Sequence, residues 1–239
     1  MERTLFIFEG EKAEKLYFKS LEKAFFKGEE SRLLASFQND IYDLYAQINA
    51  DEDLDLFELV KELNPSANQD ERLAVLRRDQ IGQIYLFFDF EPQDEKFNGA
   101  KLLEMLARFD NETDSGKLFI SYPMIEAIRD INDPVEYLAL TVSLAECKGR
   151  IYKRLSANRG RQIFQDAKHI NKPIWQLLIE ANLKKANVLI SGEGNLQPID
   201  NQRLIAQAQL DHYLPIDQVA VLSAFPLFLA DYFGLSVLE

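Results

Sequence analysis

Ile84-Tyr85-Leu86-Phe87-Phe88-Asp89-Phe90-Glu91-Pro92 is the stretch whose reading decides the fold of this chain. Five consecutive apolar residues, rich in β-branched and aromatic types, predict a strand buried on both faces. Asp89 and Glu91 follow at spacing i, i+2, at the C-terminal end of that strand. In an open α/β sheet this is the end where ligands bind. Two adjacent carboxylates repel each other, and a divalent cation is the simplest partner that makes the pairing favourable.

A second stretch has the same form. Thr4-Leu5-Phe6-Ile7-Phe8 predicts a buried strand ending in Glu9-Gly10. Lys12 to Phe26 then has helical spacing, with Leu16, Phe18, Leu21, Phe25 and Phe26 available for a buried face. If the two strands are parallel neighbours, Glu9, Asp89 and Glu91 converge at one sheet edge.

The remaining pattern predicts a strand over Arg32–Phe37 and helices over Ile41–Ile48, Leu54–Leu63, Asp70–Arg78 and Gly99–Phe109. It also predicts a strand over Lys117–Ser121, closed by Tyr122-Pro123. Asn64-Pro65-Ser66 reads as a helix stop. From Met124 onward the pattern is mostly helical, with Val188–Ser191 as a candidate strand. Alternating strands and helices followed by helices predict two parts. Residues 1–130 form an α/β domain with a mostly parallel sheet flanked by helices, and residues 131–239 form a helical C-terminal domain.

The chain has 239 residues and a net charge of −12, which argues against a protein whose main task is to coat nucleic acid. The charge is uneven. Ala145–Ala186 holds ten Lys or Arg against three acids, a net +7 that leaves −19 elsewhere. Lys148, Arg150, Lys153, Arg154, Arg159 and Arg161 in this segment are candidate nucleic-acid contacts; the competing reading is a basic face paired with acidic helices. Cys147 is the single cysteine, so no internal disulfide forms, which suits the cytoplasm. His169 and His212 lack Cys or His neighbours for a zinc site. No signal peptide, P-loop or dinucleotide fingerprint is visible. Val219–Leu238 is long and apolar, but Pro226 and Asp231 interrupt it. It predicts a buried helix, or two broken at Ala224-Phe225-Pro226, or a subunit contact, rather than a membrane span.

Four ordered segments resemble RloB-like proteins, a branch of the Toprim superfamily: Phe8–Phe18, with Ala13 where the family has threonine; Leu56–Lys61; Phe88–Glu91; and Ser121–Glu126. The resemblance covers about the first 130 residues. It implies a Toprim fold in which Glu9, Asp89 and Glu91 hold one or two Mg²⁺ (or Mn²⁺) ions, Glu9 serving as ligand or as general acid/base. Gly10, Lys12, Ser121 and Glu126 are candidate accessory residues: close backbone approach, a phosphate contact, ligand orientation, and a metal or lysine partner. The implied activity is Mg²⁺-dependent cleavage of nucleic-acid phosphodiester bonds, in a setting of phage defence. Glu91 stands where the family usually has Asp. That departure supports the alternative, a catalytically inactive Toprim-like binding or regulatory module working with a partner protein. A homo-oligomer through the C-terminal apolar stretch is a further expectation.

Overall fold

The computed structural model describes residues 3–26, 32–51, 54–63 and 71–239. Strands β1 (Arg3–Phe8), β2 (Arg32–Ser36), β3 (Ile81–Asp89), β4 (Asp110–Asn111) and β5 (Gly116–Ser121) form one sheet in the order β2-β1-β3-β5-β4. The first four in that order run parallel, and only β4, at the edge, is antiparallel. Helices α1 (Ala13–Phe25), α2 (Ile41–Ala50), α3 (Leu56–Leu63) and α4 (Gly99–Arg108) fall between these strands. Leu5 to Phe8 are all fully buried, as a sheet covered on both faces requires. Side-chain oxygens of Asp40 and Asn98 cap the starts of α2 and α4, which are otherwise short of hydrogen-bond acceptors.

The rest of the chain contributes α5 (Pro134–Leu138), β6 (Thr141–Ser143), α6 (Gly149–Arg159), α7 (Lys172–Ser191), α8 (Arg203–Ala208), β7 (Gln218–Ala220) and α9 (Ala224–Phe233). It is helical apart from β6 and β7, an antiparallel pair too short to show a period in the sequence. Val188–Ser191 is no strand. It is the last turn of α7, stopped by Gly192 at φ +79°, whose N–H donates to Val188 O. The helix expected over Asp70–Arg78 is, in the described residues, a 3-10 turn over Glu71–Val75. Its buried Leu73 is followed by Leu76, a spacing that suits three residues per turn. The helix stop at 64–66 lies outside the described residues.

The C-terminal apolar stretch lies inside its own chain. Ala224 to Ala230 are all buried against the rest of the chain. Pro226 falls in the first turn of α9, where a missing N–H costs no bond, and the helix is unbroken. Phe225 stacks on Phe87 at 4.8 Å, and Phe228 stands edge-on to Phe6, Phe87 and Phe119 at 5.6, 5.4 and 5.8 Å. Phe18 of α1 meets Phe6 on the same face, whereas Leu16, expected in the core, is 45% exposed. Asp231, the charge that spoils a membrane span, pairs with Lys117 of β5 at 2.5 Å. No helix among the described residues is long and apolar enough to cross a membrane. Phe228→Ala is expected to cost about 3–5 kcal/mol, the range for emptying a buried aromatic site. Chemical denaturation measures it, and Phe228→Leu should lose markedly less.

Candidate metal centre

The strand order places the switch point between β1 and β3: β1 leads to β2 on one side, and β3 lies on the other. Crevices for ligands open at the C-terminal ends of the strands at such points. Glu9 follows β1 and Asp89 ends β3. Glu9 N–H donates to Phe87 O at 3.0 Å, and Asp89 N–H donates back to Glu9 Oε2 at 2.8 Å. The first bond extends the ladder, and the second orients the Glu9 carboxylate over the end of β3.

Two residues later, Glu91 adopts φ +38°, in the left-handed region. That conformation costs a non-glycine residue about 1–2 kcal/mol. The loop after β5 holds it there, through N–H bonds from Phe90 and Glu91 to Pro123 O at 3.1 and 3.2 Å. The outcome is convergence. One carboxylate oxygen from each of Glu9, Asp89 and Glu91 lies within 4.8 Å of the others.

Two more acids border this trio. Glu14, in the first turn of α1, is buried over Gly10, so a Cβ at Gly10 would stand 2.8 Å from Glu14 Oε1. Gly10 therefore leaves room for a carboxylate. Glu126 lies in the 3-10 turn Ile125–Arg129; its Oε1 is 3.4 Å from Lys153 Nζ, and its Oε2 is buried with no hydrogen-bond partner among the described residues. Burial raises the Glu9 pKa to about 8, with Glu91, Glu14 and Asp40 adding to the rise. Burial likewise pushes Asp89 well above the usual carboxylate range, reinforced by Glu9, Glu14, Glu126 and Glu91. Glu14 and Glu91 are also raised, chiefly by burial. Five carboxylates thus share a small volume with Lys153 as the nearest countercharge.

The surrounding space divides in two. A cleft of ≈ 440 Å³ lies toward α1 and α6, bordered by Lys12, Asp89, Gly149 and Lys153. A wider one of ≈ 620 Å³ lies toward α2, bordered by Asp40, Asp43 and Lys96. Glu9 and Glu91 line both. Lys96 bridges Asp40 and Asp43 at 2.9 and 2.7 Å.

Ser121 is buried, and its Oγ accepts from Ala224 N–H at 3.3 Å at the start of α9; it borders neither cleft. Lys148, Arg150 and Arg154 are exposed on or beside α6, and Lys153 alone of that helix's cations reaches the acids. Arg159 is half-buried and donates to Asp130, a fully buried carboxylate, so its guanidinium is already paired within the fold. Arg161 lies exposed, its guanidinium 5.8 Å from the Phe164 ring. Glu14 falls inside the family-like segment Phe8–Phe18 but carries no site role there. Its signal was present, since it falls on the same helical stripe as Tyr17, Phe18 and Leu21, where an acid is out of place.

No protein-family model matches the chain, and no curated protein or solved structure matches it.

Proposed function

We propose that this protein is a Mg²⁺- or Mn²⁺-dependent nuclease with a Toprim-like α/β domain of the RloB-like type, hydrolysing phosphodiester bonds of a nucleic acid, with phage defence as its setting. The observation that carries the reading is the convergence of Glu9, Asp89 and Glu91 at the switch point of a parallel sheet. The donor set fits the group. It is all oxygen, the choice of hard cations such as Mg²⁺ and Mn²⁺. The buried, unpartnered Glu126 Oε2 is one more acceptor in want of a positive charge.

When bound, such an ion neutralises phosphate charge and makes a water nucleophilic near neutral pH. The chain's own residues do the rest. Glu9, Asp89 and Glu91 hold the cation, and the Asp89 N–H keeps the Glu9 carboxylate in place. Glu14 and Glu126 add negative charge beside Asp89, which strengthens the pull on a cation. Lys153, together with Lys12 at the cleft wall, attracts the phosphate among these acids.

The test joins stability to pH. Glu9 and Asp89 have folded pKa values above their unfolded ones, so the folded metal-free chain holds protons that the unfolded chain releases. Their contribution to stability is complete below the ordinary carboxylate range and is lost as pH rises toward 8. Metal competes with those protons. Mn²⁺ is therefore expected to raise the melting temperature more at pH 8 than at pH 6, and to support cleavage of a labelled oligonucleotide that EDTA stops. No melting shift at either pH removes the cation site. A shift without cleavage of any oligonucleotide favours the inactive binding module.

A further inference from the structure

In a chain of net −12, one exposed helix face carries three lysines and no acid. Lys12, Leu16, Lys19 and Lys23 follow one another at spacings of four, three and four, so they share one side of α1 and its N-terminal flank. All four are exposed. Two acids of the helix are used elsewhere: Glu14 is buried at the cleft, and Glu22 accepts from Arg32 Nε at 2.7 Å. Lys23 then borders a hollow of ≈ 240 Å³, together with Lys168, His169 and Lys172, on the turn leading into α7. Lys12, Lys19, Lys23, Lys168 and Lys172 form no ion pair with a described residue; Asp166, the nearby acid, sits 3.1 Å from His169.

This row has a beginning. Lys12 is part of the wall of the cleft that holds Asp89, with Lys153 also on that wall. Both clefts are lined by more acids than bases, but the one cation of the other cleft, Lys96, is already held between Asp40 and Asp43. A polyanion reaching the acidic centre meets Lys12, unpaired among the described residues, and the lysines beyond it on α1, on the α1 side, and only the paired Lys96 on the α2 side. From Lys12 to Lys23 the helix rises about 16 Å. Cations spread over that length do not converge on one phosphate. They match a row of them, since one strand of a duplex presents a charge about every 3.4 Å.

We propose that the lysine face of α1, extended by Lys168 and Lys172, is a track for a nucleic-acid backbone whose scissile phosphate lies at the acidic centre. The inference rests on the nuclease reading and deepens it by assigning the substrate's path.

The test is binding of labelled single-stranded and duplex oligonucleotides to the full chain carrying Asp89→Asn, which keeps the probe uncut, over about 50–200 mM salt. The comparison is the same chain with Lys19→Gln, Lys23→Gln and Lys172→Gln, exposed positions where Gln keeps the helix. The triple variant is expected to bind about tenfold more weakly. The slope of log affinity against log salt should be shallower by about 2–3, at 0.7–0.9 per lost phosphate contact. Its circular dichroism spectrum should be unchanged. An unchanged affinity and slope in the triple variant, with binding lost on Lys153→Gln and Arg154→Gln, overturns the track and leaves the nuclease reading standing. No binding of any oligonucleotide by the parent chain overturns both. Lysine-dependent binding to anionic lipid vesicles, tighter than to oligonucleotides, also overturns the track.

Discussion

Asp89→Asn is expected to abolish metal-dependent cleavage and, at the same time, to stabilise the metal-free chain. The side chain keeps its shape, and the Asp89 N–H that orients Glu9 is backbone, so the site's frame survives. The lost negative charge is the one most exposed to like charges, facing Glu9, Glu14, Glu126 and Glu91. Removing one electrostatic group at a reacting centre costs about 10²–10³ in rate, and a lost cation costs more. The stability change has the opposite sign because ionising Asp89 among buried carboxylates opposes folding when no cation is present. The denaturation midpoint of the variant should exceed that of the parent at pH 8, and the gap should close below about pH 4, where both side chains are neutral. A variant that cleaves as well as the parent would move the centre elsewhere; one that is no more stable at pH 8 would show that water already relieves the crowding.

The second large effect is expected at Asp130. This carboxylate is fully buried, accepting from Arg159 Nε at 2.7 Å and from the Tyr152 hydroxyl at 2.9 Å. Arg159 and Tyr152 both belong to α6, whereas Asp130 directly follows the turn that carries Glu126. The neighbouring Arg129 adds bonds from Nε to Ser156 Oγ and from its terminal nitrogen to Lys153 O. This network docks α6 and so places Lys153 beside Glu126. Asp130→Ala leaves a half-buried guanidinium and a buried hydroxyl without an acceptor. It also removes the attractive charge near the buried Lys185, whose pKa burial already lowers far below the lysine range. Breaking a buried pair from one side costs about 3–5 kcal/mol. The expected result is that loss in chemical denaturation, with cleavage falling alongside it. A loss under about 1 kcal/mol would mean that water replaces the carboxylate.

Much of the sheet was legible because buried parallel strands are short apolar runs ended by polar residues. Thr4–Phe8, Ile84–Phe88 and Lys117–Ser121 all fall within strands of the structure. The acids at two of those strand ends stood out for the same reason, since a carboxylate directly after an apolar run is conspicuous. Glu14 and Asp130 were harder. A buried charge inside a helix or turn resembles a surface charge until the partner is known, and the partners lie far along the chain. Arg159 shows the converse: it belongs to a basic run by sequence, yet its charge is spent inside the fold. The C-terminal apolar stretch allowed several uses because hydrophobicity has no direction, and only the aromatic face of the sheet selects among them.

By itself, then, the sequence determined the α/β alternation, the strand-end carboxylates and the uneven charge, each a local property of residue type and spacing. Tertiary structure decided the rest. It set β1 beside β3, which makes Glu9, Asp89 and Glu91 one group, and it folded α9 onto the sheet. It also turned Lys153 and Glu126 toward that group while taking Arg159 away. These outcomes depend on electrostatics and packing between residues distant in sequence, which act only once the chain has closed around them.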